Sequence, residues 1–179
     1  MSSRFELVST ETIHEGTFFT VERRRYRHED GEEVVREVVI HPGAVGVVVV
    51  DGDRLWLVRQ PREAIGLPDL LEIPAGKLDE EGESPLEAAK RELAEEIGKQ
   101  AEHWEDLGSF YTSAGFTNEE VFLYLATGIS DADETPAIEE DERIDVEVRP
   151  LSDLDAILAQ TKDAKTLIGL MRLREKLGP

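Results

Sequence analysis

The sequence predicts an α/β or α+β fold in which a few helices pack on a sheet. Apolar runs typical of strands fill much of the first 73 residues, a capped helix follows, and further strands precede two C-terminal helices. We expect one of these helices to begin with Ser152 as its cap and the other to span about 163–176. The 179 residues suffice for one domain, or for one core with an appendage, and 40% of them are hydrophobic.

The first forty residues alternate as paired strands do. We expect strands over 18–28 and 34–41, joined by a turn that contains Asp30-Gly31, a typical hairpin signal. The continuous apolar run 44–50 predicts a strand buried on both faces. The other expected strands are 54–60, 70–73, 105–111, 120–126 and 145–148.

The first helix is marked by signals at both ends. Ser84 suits the N-cap, Pro85 suits the first helical position, and Glu87 completes a capping box. Gly98 is favoured just after a helix ends. Between these limits an apolar stripe at helical spacing predicts the core-facing side, formed by Leu86, Ala89, Leu93 and Ile97.

Charge and composition argue against several classes of function. With 20 Lys+Arg against 40 Asp+Glu, the formal charge of −20 would repel nucleic acid, and the basic run 23–28 is too short to offset it. The absence of Cys excludes disulfides, thiol nucleophiles and zinc–thiolate sites. No apolar run could span a membrane or act as a secretory signal, so we expect a cytoplasmic protein without nucleic-acid or membrane partners.

Three glutamates of the first helix form an unfavourable cluster. Glu92, Glu95 and Glu96 lie three and four residues apart, so they share one face and repel one another by a few tenths of a kcal/mol per pair. The negative end of the helix dipole adds a cost of ~0.3–1 kcal/mol for each acidic residue in the last turn. A divalent cation such as Mg²⁺ would reverse the sign of these contributions, whereas a solvated acidic face is the alternative. Arg91 either holds one carboxylate by a bidentate pair or forms an ordinary surface ion pair.

The residues from Gly76 to Gly98 resemble the signature of the Nudix hydrolases, enzymes that cleave nucleoside diphosphates linked to another moiety. The resemblance rests on Gly76, Glu83 and the run Arg91-Glu92-Leu93-Ala94-Glu95-Glu96-Ile97-Gly98. Segments 44–49, 58–62, 71–76 and 163–166 are similar to the ADP-ribose pyrophosphatase branch of that family. Three features depart from the pattern: six residues, not the usual five, separate Gly76 from Glu83, Lys99 replaces a usually aliphatic residue, and Ala114 replaces the Pro that this branch tends to have.

The resemblance implies a Nudix α/β/α sandwich over residues 43–179. It also implies an N-terminal antiparallel sheet over residues 1–42, exchanged across a homodimer and involved in substrate binding. The expected reaction is metal-dependent hydrolysis of ADP-ribose to AMP and ribose 5-phosphate. The alternatives are a broader pyrophosphatase of nucleoside diphosphate sugars or of dinucleotides (NADH, FAD, diadenosine polyphosphates), and a non-catalytic ADP-ribose-binding regulator.

The resemblance also assigns metal ligands by position. It implies that Glu92, Glu95, Glu96 and the backbone carbonyl of Ala75 hold two or three Mg²⁺ or Mn²⁺ ions. Arg91 and Glu95 count among the expected catalytic residues.

Substrate contacts and the general base are assigned in the same way. Arg62 would contact the diphosphate or the terminal ribose, and Phe18 and Arg36 would hold the adenine. The acidic segment 139–142 would supply the base, for which Glu140 is the first choice and Glu142 the second.

Overall fold

The computed structural model describes residues 4–133 and 143–178. The chain divides into two units, one formed by the residues up to Gly43 with Phe110–Glu120, the other by Ala44–Ser109 and the residues from Val121 onward. Phe110–Glu120 thus groups with the N-terminal strands, whereas the assignment of dimerisation and substrate binding to residues 1–42 stays a prediction. In the described ranges, no helix is both long and apolar enough to cross a membrane.

The first unit is built on a three-stranded antiparallel sheet in the order β1-β2-β3. Its strands are β1 (Phe5–Glu15), β2 (Thr20–His28) and β3 (Glu33–Ile40). The predicted hairpin is confirmed as β2 and β3, while β1 adds a strand whose side chains are all exposed. The segment Phe110–Glu120 hydrogen-bonds to the end of β3, where the Val39 N–H donates to the Phe116 carbonyl at 2.8 Å.

The second unit contains a mixed sheet of seven strands. Their order is β10-β5-β4-β9-β8, with β6 paired to β5 and β7 paired to β4. The β4–β9 pair is parallel. The pairs β4–β5, β4–β7, β5–β6 and β5–β10 are antiparallel. The bounds are β4 (Ala44–Asp51), β5 (Arg54–Arg62), β6 (Leu67–Glu72), β7 (Ala75–Lys77), β8 (Lys99–Tyr111), β9 (Glu120–Asp131) and β10 (Asp145–Pro150).

Alternation along β4 places helices on both of its faces. Val45, Val47 and Val49 pack in the cluster that contains Leu93 of α1 (Pro85–Ile97). Val48 points to the opposite face, towards α3 (Ala164–Leu177), because successive side chains alternate along a strand. The prediction of an α/β fold with a buried strand flanked by helices is confirmed.

The helix boundaries follow local capping chemistry. The capping box of α1 is present at Ser84, and Gly98 ends the helix with a left-handed φ of 65°. Asp163 caps α3, since its side chain accepts a hydrogen bond from the Thr166 N–H at 2.9 Å. The prediction for Ser152 was wrong, because this residue lies inside a 3-10 turn, Leu151–Asp153, that leads into α2 (Leu154–Gln160).

Two strands, β1 and β7, are absent from those that the residue pattern predicts. In β7 (Ala75–Lys77), Ala75 and Lys77 pair with Gly46 and Ala44 of β4. Three residues are too few for a recognisable alternation, and the strand exists because β4 offers an unpaired edge there. This pairing fixes the backbone of Ala75 and Gly76 beside α1.

Candidate active site

Glu92 and Glu96 lie one turn apart on the side of α1 that faces β7. The Glu92 carboxyl packs against Gly76 so closely that a Cβ at position 76 would lie 1.9 Å from its carboxyl carbon. The Glu96 carboxylate accepts a hydrogen bond from the Ala75 N–H at 2.9 Å. Only 9% of Glu92 and 5% of Glu96 is exposed. The glycine is therefore required at position 76 because Glu92 approaches the backbone so closely.

Arg91 holds three carboxylates with one guanidinium. Its Nη1 donates to Glu92 at 2.7 Å and to Glu95 at 2.9 Å, while Nε and Nη2 each donate to Glu83 at 3.1 Å. Burial lowers the pKa of Arg91, but the hydrogen bond to Glu83 and the charges of Glu92 and Glu95 outweigh it, so the net pKa lies above its ordinary value. Arg91 therefore stays positively charged and holds Glu83, Glu92 and Glu95 in place through hydrogen bonds.

The donor chemistry of this cluster fits a hard divalent cation. Four carboxylates lie together on and beside α1, three of them on the Arg91 guanidinium and the fourth, from Glu96, on the Ala75 N–H. Glu95 and Glu96 lie at the negative end of the helix. In the part of the chain that the structure describes, no three His, Cys, Asp or Glu side chains converge as a ready ligand set, because these carboxylates are turned to Arg91 and to the Ala75 N–H. Ligation by the three predicted glutamates and by the Ala75 carbonyl stays a prediction.

Arg62, the predicted substrate contact, belongs to an ion cluster that sequence reasoning missed. Its Nε and Nη2 donate to the two oxygens of Glu72 at 2.7 and 2.8 Å. Lys165 donates to the same carboxylate and also to Asp163, at 3.0 Å. The signal that could have revealed the cluster is Glu72 itself, a single charge within the apolar run 70–73 that needs buried partners.

The charges of this cluster reach the glutamates of α1. Burial raises the pKa of Glu72, which has no exposed surface, but Arg62 and Lys165 outweigh this effect and hold the net pKa below its ordinary value. The pKa of Arg62 is raised chiefly by Glu72, with contributions from Asp163 and Glu96. Arg62 thus lies within electrostatic range of Glu96.

The other predicted site residues lie in the first unit or outside the described ranges. Phe18 is 54% exposed, and its ring centroid lies 6.0 Å from that of His41. Arg36 stands on β3 directly opposite Arg24 of β2. Both candidates for the base, Glu140 and Glu142, lie outside the described residues.

The fold and this glutamate site define a Nudix protein. The NUDIX domain model matches residues 40–170, and the chain belongs to this family of hydrolases. Members that act as ADP-ribose pyrophosphatases generally need a divalent metal.

Several relatives indicate the branch of the family. An ADP-ribose pyrophosphatase of Mycobacterium tuberculosis is 45% identical over 126 residues, which are 70% of this chain and 60% of that protein, less than two thirds of its length. An ADP-ribose pyrophosphatase of Bacillus subtilis is 39% identical over 150 residues, 82% of this chain and 80% of that protein. A methanol dehydrogenase activator of Bacillus methanolicus is 35% identical over 170 residues, 93% of this chain and 91% of that protein. The crystal structure of an ADP compounds hydrolase superposes with a TM-score of 0.85 at 25% identity, covering 98% of this chain and 95% of the other.

Proposed function

We propose that this chain hydrolyses the diphosphate bond of ADP-ribose, with AMP and ribose 5-phosphate as products. The observation that carries the proposal is the cluster of clamped glutamates on α1, packed against Gly76 and within electrostatic range of Arg62. The two relatives named ADP-ribose pyrophosphatases support the choice of substrate.

The metal would be held by carboxylates that already sit together. Glu92, Glu95 and Glu96, with the Ala75 carbonyl, are the proposed ligands of two or three Mg²⁺ or Mn²⁺ ions. When bound, such ions neutralise the diphosphate and make a water more acidic. Arg91 keeps Glu92 and Glu95 close together, and an ion would bind these carboxylates by drawing their oxygens away from the guanidinium.

A carboxylate base and a cationic anchor complete the proposed mechanism. Glu140, with Glu142 and then Glu95 as the next choices, would take a proton from the water that attacks phosphorus in line. Arg62 would hold the diphosphate or the terminal ribose. No covalent nucleophile is required, which agrees with a chain that has no Cys.

The adenine would bind to the first unit through Phe18 and Arg36. Arg36 and Arg24 face each other across β2 and β3, and like charges directly opposite each other are unfavourable. Arg24 is paired with Glu22 at 2.6 Å, whereas Arg36 donates only to the neighbouring Val35 carbonyl, at 2.9 Å, among the described residues. An anionic or electron-rich ligand beside Arg36 would relieve this repulsion.

The first unit also suggests a homodimer with an exchanged N-terminal sheet. One face of its sheet carries the charged ladder that includes Arg23, Arg27 and Glu33, while the other carries Leu7 and Tyr26 in register. Leu7 is 52% exposed. A three-stranded sheet with exposed apolar side chains such as Leu7 is only marginally stable alone, so a second copy of the chain is proposed to cover them.

The experiment that tests the activity is a product assay on the purified chain. We expect AMP from ADP-ribose with Mg²⁺ or Mn²⁺ and none in EDTA. Rates of hydrolysis of ADP-glucose, NADH, FAD and diadenosine polyphosphates, compared with that of ADP-ribose, test the alternative of a broader pyrophosphatase. Binding of ADP-ribose without any AMP release under all metal conditions would identify a non-catalytic regulator instead.

A second candidate function is activation of a methanol dehydrogenase. It is favoured by the similarity to the Bacillus methanolicus activator, which extends over 93% of this chain. Adding the chain to a methanol dehydrogenase and measuring its rate tests this candidate separately. A cytoplasmic location is proposed for either function.

A further inference from the structure

Two of the three guanidinium nitrogens of Arg62 are committed to Glu72. Nε and Nη2 make the two-point contact, and Nη1 has no hydrogen-bond partner within residues 4–133 and 143–178. The Arg62 side chain is 39% exposed, so its Nη1 edge can be reached by a ligand. The plane of the Glu72 carboxylate therefore sets the direction in which Nη1 points.

Lys165 fixes that carboxylate from the other side. Its ammonium group donates to the Glu72 oxygen that also receives Arg62 Nη2, and to Asp163 at 3.0 Å. Asp163 is itself fixed, because it accepts hydrogen bonds from the Thr166 N–H at 2.9 Å and the Thr166 hydroxyl at 2.6 Å. The first residues of α3 thus orient Arg62 through Lys165 and Glu72.

The cluster is also balanced in charge. The two cations Arg62 and Lys165 face the two carboxylates Glu72 and Asp163. Loss of Lys165 would leave a net negative charge beside a group proposed to receive the anionic part of the substrate. The lost orientation of Arg62 and the changed charge would both alter substrate binding through Arg62. Lys165 itself is only 15% exposed, and its donors point into the cluster.

We propose that Lys165 is a positioning residue that acts through Glu72 to aim the Arg62 guanidinium at an anionic oxygen of the substrate. This inference rests on the proposed function, in which Arg62 contacts the diphosphate or the terminal ribose. It predicts a role in binding for a lysine that does not itself contact the substrate.

The first test is steady-state kinetics of Lys165→Met on ADP-ribose with Mg²⁺. We expect KM to rise by ~10- to 100-fold, the range for losing a hydrogen bond to a charged group, with kcat changed far less. Lys165→Arg retains the charge and the donors and should restore most of the affinity. Lys176→Met is the matched control, because Lys176 lies on the same helix but pairs with the exposed Glu105, and its KM should equal that of the wild type.

The second test is a double-mutant cycle with Arg62→Ala. If Lys165 acts through Arg62, Lys165→Met has no further effect on kcat/KM once Arg62 is absent. Additive losses would overturn the inference, and so would a Lys165→Met enzyme with a lowered thermal midpoint but a wild-type KM. If Lys165→Met does not fold, Lys165→Gln, which keeps one donor without the charge, enters the same cycle with the same expectation.

The two proposals fail in different ways. A wild-type chain that releases no AMP from ADP-ribose overturns the proposed function and this inference with it. A wild-type chain that is active, combined with an additive cycle, overturns the inference alone.

Discussion

Glu92 occupies the space that a side chain at position 76 would fill. We expect Gly76→Ala to lower AMP release by ~10²-fold, because the new Cβ, 1.9 Å from the Glu92 carboxyl carbon, would displace a proposed ligand by about 1 Å or more. The φ of Gly76 is not positive, so the alanine backbone itself is tolerated. Turnover at saturating Mg²⁺ and the urea unfolding curve are the measurements.

Gly82, in the same segment, provides the matched control. It has a φ of +82°, and a Cβ added there would have no described atom within 4 Å, so Gly82→Ala strains the backbone without touching a carboxylate. It should lose stability and retain turnover, the reverse of Gly76→Ala. Equal losses of turnover in both variants would contradict the role given to the Gly76–Glu92 contact.

Glu96 tests the metal-binding hypothesis at a second position. We expect Glu96→Gln to lose at least ~10²-fold in turnover, since an amide is a poorer ligand than a carboxylate. The fold should persist and the apo thermal midpoint should hold or rise, because the amide oxygen can still accept from the Ala75 N–H and one charge leaves the negative end of α1.

The control for Glu96→Gln is Glu87→Gln on the same helix. Glu87 serves the capping box, where glutamine also functions, so its turnover should be unchanged. Near wild-type turnover of Glu96→Gln at saturating Mg²⁺ would rule out Glu96 as a ligand.

Residue spacing predicts only those contacts of the site whose partners are close along the chain. Glu95 and Glu96 follow the adjacent Arg91 and Glu92 by about one helix turn, and the proximity of these side chains follows from that spacing. Glu72 and Lys165 are 93 residues apart, and only the packing of α3 on the sheet beside β4 brings them together. No local pattern carries that information.

At the scale of elements, Thr166 joins α3 to the end of β6. Its hydroxyl accepts a hydrogen bond from the buried Ile73 N–H at 2.8 Å, directly before residues 74–76 of the site. We expect Thr166→Val to lower the free energy of unfolding by ~1–3 kcal/mol, because a buried donor loses its partner. Urea denaturation measures this change.

Thr166→Ser separates the contribution of the hydroxyl to stability from that of the methyl group. It keeps the acceptor and should cost clearly less than Thr166→Val. If the serine variant is as unstable as the valine variant, the methyl packing accounts for the effect and the hydrogen bond to Ile73 does not.

Secondary-structure elements can be predicted from the sequence where the residues that define their ends lie next to them along the chain. The limits of α1 are set by Ser84 and Gly98, and the structure confirms both. By contrast, the sequence predicts β8 only from about residue 105, whereas it begins at Lys99. Its first residues are mostly polar and are held by pairing within the sheet.

Contacts of the Lys99 side chain account for its place in the family signature, where an aliphatic residue is usual. Its ammonium lies 4.9 Å above the Trp56 ring and donates a hydrogen bond to Asp131 at 2.5 Å.

At the scale of the whole molecule, the exposed apolar side chains of the N-terminal sheet predict self-association. We expect the wild type to sediment as a dimer and Leu7→Glu to shift it towards monomer, because the substitution replaces an apolar contact of the proposed interface with a charge. Glu11→Gln lies on the opposite, charged face beside Arg23 and should leave the dimer intact. A wild type that is monomeric and fully active at the same concentration would contradict the exchanged-sheet proposal.

As pH falls, the loss of net negative charge stabilises the folded state, whereas the loss of ion pairs that involve carboxylates destabilises it. At neutral pH the formal charge of −20 destabilises the folded state by repulsion, and added NaCl at about 0.5 M should raise the thermal midpoint there by screening. The carboxylates of Glu72 and Glu147 have pKa values held below the ordinary range. In both, burial raises the pKa, but the pairs with Arg62 and Lys165 for Glu72, and with Arg59 and Arg149 for Glu147, outweigh it.

A group whose pKa is lowered by folding stabilises the protein above its unfolded pKa, ~4.3 for Glu, and this stabilisation is lost as pH falls through the folded value. We therefore expect a midpoint that changes little between about pH 7 and ~5 and falls steeply below ~4. Glu147→Gln should be less stable than the wild type at about pH 7, while the two melting curves should approach each other as pH falls through the lowered pKa of Glu147, because the wild-type carboxylate then becomes protonated as well. A difference in midpoint that stays constant across this range would show that Glu147 stabilises the β5–β10 pair by packing and not by its charge.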